Sequence, residues 1–248
     1  MRSAAGRFLQ AAGGVFTPLS LSPTLWLDAS DTSTITSAAN RVSAWADKSG
    51  NGNNAAQGTA GLKPTTNTTT MNGRNVLDFS SNLIVTSSFT LSTVQTVFIV
   101  FTSSSSAAQI LCEHGPNWNT NPGQIHFIQS ATQYASGYNR GAAASVSGDL
   151  AMLTTRTTGA HQLTFQGGGS YATLLAWQDG AALTKTLTYN FNTGVSNATA
   201  ALNIGDRSGG AVAPLAGSIA EIIVYNSSLS TANRQAVEAY LKAKWGTP

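Results

Sequence analysis

Short apolar segments alternate with clusters of turn-forming residues along most of the chain. The longest apolar run, Val97 to Phe101, has the length of a β-strand, and runs bounded by Gly, Asn and Ser are typical of strands. The strands predicted in this way are 25–29, 76–79, 94–101, 109–113, 124–129, 161–166, 172–178, 187–191, 202–205 and 217–225. Asn-Gly pairs at 51–52 and 72–73 and an Asp-Gly pair at 179–180 favour tight hairpin turns. Strands at this spacing, without helices between them, predict an antiparallel sandwich or barrel.

A single helix is predicted, near the C-terminal end of the chain. Ser230 has the residue type of an N-cap, and the good helix formers after it place Val237, Tyr240 and Leu241 on one face. Gly246 is expected to stop the helix. The predicted fold class is therefore all-β with one short C-terminal helix.

Composition narrows the classes of protein that fit this pattern. Charged residues make up 9% of the chain, against about 25% in an average soluble domain. Hydrophobic residues make up 42%, which is enough for a core, so the surface must be rich in hydroxyls and amides. This argues against intrinsic disorder and against a metabolic enzyme with a salt-bridged exterior.

Charge and hydropathy also exclude two classes of partner. The net charge of +3 comes from 13 basic and 10 acidic residues without a basic run, so nucleic acid is not expected as a partner. No apolar stretch approaches the roughly 20 residues that cross a bilayer, so no membrane is expected either.

The first 19 residues are predicted to form an N-terminal arm, ahead of a domain that spans residues 20–248. The arm resembles a signal peptide superficially, but Gln10 and a glycine pair interrupt its apolar part, and no small-x-small cleavage site follows. Its apolar residues have no evident place in a self-contained sandwich. We expect four of them to dock on a partner: Phe8, Leu9, Val15 and Phe16. The alternative is that the arm covers an edge strand of its own sheet.

Three sets of segments carry a family resemblance. They are LWLDASD at 25–31 with VSAWADKSGNGN at 42–53, NGRNVLDF at 72–79, and LNIG at 202–205 with GSIAEIIVYN at 217–226 and YLKAKWG at 240–246. In this order they resemble a laminin-G-like, concanavalin A-like lectin/glucanase jelly roll, of the kind found in tailed-phage virion proteins and bacterial surface proteins. The resemblance implies two stacked, curved antiparallel sheets. It leaves the function open, because this fold serves lectins, glycosidases, adhesion modules and capsid parts.

A calcium site is one hypothesis for the glycine-rich loop 47–54. Asp47 supplies a carboxylate, and Asn51 and Asn53 supply amide oxygens, which are ligand types that calcium accepts. The alternative is a turn in which Asp47 and the Asn side chains cap backbone N–H groups and the glycines adopt positive φ. A single carboxylate favours the turn, so no cofactor is expected, with calcium as the exception to test. The lone Cys112 excludes a disulfide within the chain and a zinc site of paired thiolates.

Two groups of aromatic and amide residues predict a glycan-binding site. Trp118 stands between Asn117 and Asn119 in a loop with Gly and Pro, and Tyr138 precedes Asn139 in a second group. Sugar-binding sites combine aromatic rings with such polar groups. The alternative is that Trp118 packs under its own loop and the asparagines satisfy turns. The remaining tryptophans are predicted to lie in the core: Trp26, Trp45, Trp177 and Trp245.

Catalysis is not expected. Retaining glycoside hydrolysis needs two carboxylates about 5 Å apart, which residues two apart on one strand provide. Glu113, Glu221 and Glu238 have no acidic neighbour at that spacing, and the three histidines stand in no nucleophile or metal-ligand spacing. A glycoside hydrolase that depends on Glu113 or Glu221 remains a third alternative.

These observations together predict a non-enzymatic structural component of a phage virion, such as a head decoration, fibre or tail protein. The arm would attach it to capsid or tail proteins at the particle surface. The jelly roll would act as an adhesion module, with glycans as ligands and identical copies as neighbours. The alternative from another class is a free lectin, with or without calcium, in which Trp118 and the Asp47 loop would bind the sugar.

Overall fold

The chain folds as an all-β, antiparallel sandwich with a C-terminal α-helix, which confirms the predicted fold class. The computed structural model describes residues 15–103, 105–115, 123–139, 149–154, 156–168, 173–189, 197–210 and 212–248. Within them the strands β1 to β20 are, in order, Leu25–Asp28, Ile35–Ala38, Arg41–Trp45, Ala55–Ala56, Thr65–Met71, Arg74–Ser80, Ile84–Thr86, Phe89–Leu91, Val94–Ser103, Gln109–His114, Gly123–Ser130, Gln133–Asn139, Asp149–Thr154, Gly159–Gly168, Leu175–Gln178, Ala181–Ala182, Thr184–Tyr189, Ala198–Ala200, Leu202–Ile204 and Ala216–Tyr225. Helix α1 is Thr231–Trp245, and short 3-10 turns occupy Pro18–Leu21, Thr32–Thr34 and Ala60–Leu62.

The strands form two antiparallel layers, which we call the back sheet and the front sheet. The back sheet runs β15–β14–β9–β20–β6–β5, and β1 pairs with the second half of β20. The front sheet runs β17–β13–β12–β11–β10–β19–β7–β4–β3–β2. The layers join at a corner where Arg41 of β3 pairs with Thr65 of β5. Strand β16 extends β15, and β8 pairs with β18 in a separate ribbon.

The core between the sheets is made of alternate residues from both of them, as β9 illustrates. Val97, Ile99 and Phe101 point into that core, whereas Phe98 and Val100 belong to a second cluster that includes α1. Both faces of this central strand are therefore buried, which explains why its apolar run is unbroken. The helix forms a third layer on the outer face of the back sheet.

Helix α1 begins and ends at the residues that the sequence predicts as caps. Ser230 Oγ accepts a hydrogen bond from the backbone N–H of Asn233 at 3.2 Å, and Gly246 ends the helix in the left-handed region at φ 68°. Leu241 and Trp245 pack on the back sheet. Among the described helices, none has the length and apolar character needed to span a bilayer.

The tryptophan predictions are correct at three positions and wrong at one. Trp26, Trp45 and Trp245 are buried. Trp177 is instead half-buried on the helix side of β15, where the Arg234 guanidinium lies 3.9 Å from its ring centroid. A guanidinium stacked on an indole is a favourable cation–π contact, so Trp177 anchors the helix rather than filling the core.

Candidate functional site

The carboxylate of Asp47 organises the loop that follows β3. Its Oδ1 accepts hydrogen bonds from the backbone N–H groups of Trp26 at 2.9 Å and Ser49 at 2.8 Å. Its Oδ2 accepts from Ser49 Oγ at 2.7 Å and from the backbone N–H of Asn53 at 2.9 Å. The two glycines of the loop adopt φ values of 89° and 75°, which residues with side chains rarely adopt. The loop thus has the predicted turn geometry at Asp47 and the glycines, and Asn54 Oδ1 accepts from the backbone N–H of Asp47 at 2.9 Å. Asn51 and Asn53 were wrongly predicted to cap N–H groups, because their amides donate to backbone carbonyls instead.

Calcium at this loop stays a prediction. Within the described residues, no group of three or more His, Cys, Asp and Glu side chains is placed to hold a metal ion. Any cation bound here would depend on the amide oxygens of Asn51 and Asn53, because both Asp47 oxygens already accept two hydrogen bonds each.

Two asparagines tie this loop to the segment that leads into β1. Asn51 Nδ2 donates to the backbone carbonyls of Pro23 at 3.0 Å and Thr24 at 3.1 Å, and Asn53 Nδ2 donates to that of Thr24 at 2.8 Å. These bonds fix the two amide planes. In the part of the chain that the structure describes, no donor bonds to the Oδ1 atom of either asparagine. Both oxygens are therefore available as acceptors for a ligand.

The same residues line an open groove of about 550 Å³, which we call the asparagine groove. The lining residues are Leu19, Ser22 and Pro23 with Thr24 on one side, and Ser49, Asn51 and Asn53 on the other. None of these side chains is charged, and the exposed side chain of Leu19 supplies an apolar rim. The groove therefore offers fixed hydrogen-bonding groups beside a small apolar surface, which is the combination that binding sites for small polar ligands use.

Lys48, the residue before the groove residue Ser49, forms ion pairs outside the groove. Lys48 Nζ lies 2.8 Å from Asp28 Oδ2, 2.8 Å from Asp31 Oδ2 and 4.5 Å from the ring centroid of Trp26. Burial opposes the ammonium charge, but the two carboxylates outweigh it and raise the pKa of Lys48 above its ordinary value. Its charge is thus satisfied by the two aspartates.

A buried charge cluster lies on the helix side of the back sheet. Glu221 of β20 accepts hydrogen bonds from the indole N–H groups of Trp26 and Trp245, each at 2.6 Å, and pairs with Lys244 Nζ at 2.7 Å. Lys244 Nζ also lies 2.7 Å from Asp28 Oδ1. Burial raises the pKa of Glu221 although Lys244 opposes the shift. At Asp28 burial acts in the same direction, but the Lys244 ammonium outweighs it and the pKa lies below its usual value.

This cluster places two carboxylates side by side without forming a site for hydrolysis. Asp28 and Glu221 are cross-strand partners, but Lys244 bonds to both, and their exposed fractions are 3% and 1%. A sugar ring has no access to either carboxylate. Glu113 lies in the front sheet, also buried, where its Oε2 is 2.9 Å from Arg207 Nε.

The predicted docking residues that the structure describes lie beside α1. The ring of Phe16 meets that of Tyr240 edge to face at 6.1 Å, and Val15 is 95% exposed. Both border an open, apolar groove of about 670 Å³ along the outer side of the helix. Phe8 and Leu9 lie outside the described residues.

The predicted glycan residues are placed only in part. Asn117, Trp118 and Asn119 lie outside the described residues. Tyr138 and Asn139 end β12 in the front sheet, where they pair with Gln124 and Gly123 of β11. The asparagine groove is a separate surface, which the sequence pattern assigned to calcium through Asn51 and Asn53. Nothing in the sequence around Pro23 and Thr24 predicts that their carbonyls contact the loop at residues 47–54.

His161 belongs to a further polar cluster at the start of β14. Its Nδ1 lies 2.6 Å from Asp179 Oδ2 and its Nε2 lies 3.0 Å from Thr157 Oγ1, an order of groups that resembles a hydrolase triad. Its Nε2 also lies 3.2 Å from the backbone carbonyl oxygen of Thr158, which accepts only from a protonated nitrogen. With both nitrogens facing acceptors, His161 is arranged as a cationic clamp on the Asp179 turn rather than as a general base.

We expect the stabilising contribution of His161 to depend on pH. Burial and the nearby positive charge of Arg156 both disfavour the charged ring. The hydrogen bond and negative charge of Asp179 outweigh them and raise the pKa of His161. The contribution is therefore complete below the unfolded-state pKa of about 6.5 and is lost as pH rises through the higher folded-state pKa. In thermal unfolding, the difference in Tm between the wild type and His161→Gln should shrink from about pH 6 to about pH 9. A difference that stays constant over this range would contradict the prediction.

Comparison with known proteins places the fold. No protein-family model and no curated protein sequence matches the chain. The receptor-binding domain of botulinum neurotoxin D is similar at a TM-score of 0.60 and 13% identity, over 93% of this chain and 57% of that one. Trypanosoma rangeli sialidase, solved with 2,3-difluorosialic acid, gives 0.54 at 13% identity, over 88% of this chain and 33% of that one. Domain 4 of an extracellular arabinanase from Geobacillus stearothermophilus, solved with arabinotriose, gives 0.52 at 11% identity, over 85% and 95%.

These similarities show the β-sandwich fold. The chain spans 57% of the neurotoxin domain and 33% of the sialidase, whereas it matches the arabinanase domain over 95% of its length. The function has to be argued from this chain's own site.

Proposed function

We propose that this chain is a non-enzymatic β-sandwich module that binds a glycan in the asparagine groove. The observation that carries the proposal is the fixed orientation of Asn51 and Asn53, whose Nδ2 atoms donate to backbone carbonyls while their Oδ1 atoms accept no hydrogen bond from any described residue. Such groups lose little conformational freedom when a sugar hydroxyl binds to them. Domain 4 of the arabinanase, which has the same fold over 95% of its length, was solved in complex with arabinotriose.

The arrangement of the acidic residues supports binding rather than hydrolysis. The carboxylates of Glu113, Glu221 and Glu238 are buried and paired with Arg207, Lys244 and Arg234 respectively. A general acid must reach the glycosidic oxygen, and these side chains are committed to internal ion pairs.

The groove is tested by Asn51→Ala. Removing this amide deletes one acceptor for the ligand and the bonds to Pro23 and Thr24, so we expect glycan affinity to fall about tenfold, the value of one good hydrogen bond. Binding is measured by isothermal titration calorimetry, with probes chosen from an oligosaccharide panel that contains arabinotriose. Asn233→Ala, at an exposed position on α1, is the matched control and should bind as the wild type does. Equal affinity of Asn51→Ala and wild type would place the ligand elsewhere.

We further propose that the module is carried on a tailed-phage particle, attached to capsid or tail proteins through residues 1–19 and arranged beside identical copies. This rests on the family resemblance of the segments 25–53, 72–79 and 202–246 and on the position of Val15, which is exposed beside α1.

Quantitative mass spectrometry of purified particles tests the attachment. A fixed copy number relative to the major capsid protein is expected, and deletion of residues 1–14 should abolish incorporation while leaving glycan affinity unchanged. Absence from particles would contradict the virion assignment and favour the free lectin. Titration with and without a calcium chelator then decides whether the Asp47 loop contributes a cation.

A further inference from the structure

We infer that the asparagine groove selects neutral saccharides and rejects sugars that carry a carboxylate. The inference rests on the proposed glycan-binding function and adds to it the chemical class of the ligand. It rests on two properties of the groove, its charge and its balance of hydrogen-bond donors and acceptors. Asp47, Asn51 and Asn53 determine these properties, together with the ion pairs that hold Lys48 away.

Among the described residues, none that lines the groove supplies a cation to pair with an acidic sugar. The residues that line it are uncharged. Lys48, which precedes Ser49 in the chain, has its ammonium group 2.8 Å from each of two aspartate oxygens, and redirecting it would leave Asp28, which is 3% exposed, with one partner fewer. A carboxylate bound in the groove would therefore lack the charge-assisted partner that acidic ligands require.

The two fixed amides present acceptors to the groove, which favours ligands that donate, and the hydroxyls of Ser22 and Thr24 can pair with such ligands as well. The Nδ2 atoms of Asn51 and Asn53 are directed at backbone carbonyls, so the Oδ1 atoms remain for the ligand. Sugar hydroxyls donate hydrogen bonds to such oxygens, whereas an ionised carboxylate only accepts and would meet them as repulsion.

The carboxylate of Asp47 adds a negative charge behind the residues that line one side of the groove. It accepts hydrogen bonds from the backbone N–H groups of Ser49 and Asn53, which both line the groove. A second carboxylate in the groove would lie near this charge without a cation between them, and like charges at close range oppose binding. Leu19, 47% exposed at the rim, offers the apolar contact that the C–H face of a neutral sugar ring needs.

The experiment compares neutral and acidic probes on the full chain. Arabinotriose, maltotriose and lactose are the neutral probes, and 3′-sialyllactose and trigalacturonate are the acidic ones. The net charge of +3 attracts any anion weakly, so titrations are run at an ionic strength of about 0.15 M, where exposed charges are screened beyond about 8 Å. We expect the best neutral probe to bind at least about tenfold more tightly than either acidic probe, and Asn51→Ala to weaken it.

A charge added at the rim gives the converse test. Leu19→Arg places a guanidinium beside the groove, and we expect the ratio of 3′-sialyllactose affinity to neutral-probe affinity to rise about tenfold. Val212→Arg adds the same charge at another exposed apolar position and is the matched control, for which the ratio should not change. Circular dichroism of each variant verifies the fold.

The possible outcomes separate this inference from the proposed function. Tighter binding of an acidic probe that Asn51→Ala weakens would overturn the inference and keep the glycan function. Failure of every probe to bind would overturn both. An unchanged ratio in Leu19→Arg would overturn the assignment of selectivity to the charge of the groove.

Discussion

Replacing Glu221 with alanine is expected to lower the free energy of unfolding by about 3–5 kcal/mol, the combined cost of a cavity and of buried donors left without their acceptor. Glu221 is fully buried and accepts from two indole N–H groups, at 2.6 Å each, and from Lys244 at 2.7 Å. The variant leaves Trp26 and Trp245 with unpaired donors and Lys244 with Asp28 as its remaining carboxylate. Since these residues come from β1, β20 and α1, their loss should loosen the helix from the sheet.

Chemical unfolding with urea, followed by tryptophan fluorescence, measures this effect. Glu221→Gln separates the effect of the lost charge from that of the lost volume. Glutamine fills the same space, but its amide N–H₂ group faces the indole and ammonium donors from which the carboxylate accepts hydrogen bonds. We expect it to be destabilised as well, though less than Glu221→Ala. Lys242→Ala, at an exposed position on the same helix, is the control and should lie within about 0.5 kcal/mol of the wild type. A Glu221→Gln variant as stable as the wild type would show that the cluster contributes by packing alone.

The fold was predictable from the sequence wherever apolar residues mark it. Strands β9 and β20 are buried on both faces and stand out as apolar runs. Strand β5, Thr65–Met71, was missed, because most of its side chains are exposed threonines and asparagine, so no alternation of apolar and polar residues appears. The predicted strand 187–191 starts too late for a related reason. Strand β17 begins at Thr184, and its first three residues are polar.

The candidate site was predictable only in its local part. The glycines of the loop and the capping role of Asp47 follow from residues close in sequence, and the structure has them. The contacts of Asn51 and Asn53 with Pro23 and Thr24 do not, because a sequence pattern does not state which loops meet across a sandwich. The same limit applies to Glu221, whose structural role followed from the family resemblance but whose partners became visible only in the folded chain.

Replacing Gly217 with alanine is expected to destabilise the fold by about 3 kcal/mol, at the upper end of what overpacking a core costs. Gly217 lies in β20 between Ser103 of β9 and Phe79 of β6, its register partners on the two sides. A Cβ atom at this position would clash with the backbone carbonyl oxygen of Thr102. A backbone atom in a central strand pair cannot swing away as a flexible side chain can. The strands would have to separate, which weakens the ladder that joins the two most extensively paired strands of the back sheet.

Urea unfolding of Gly217→Ala beside Gly58→Ala measures this cost against a matched substitution. A Cβ atom at Gly58 meets nothing within 4 Å, so Gly58→Ala should lie within about 0.5 kcal/mol of the wild type or be slightly more stable, because alanine restricts the unfolded chain. The two variants add the same methyl group and differ in what it meets. Equal stability of the two would mean that β20 and β9 tolerate a wider spacing at this point, and that the close approach is not what requires glycine. A loss confined to Gly217→Ala would show that the sandwich depends on this contact between β20 and β9.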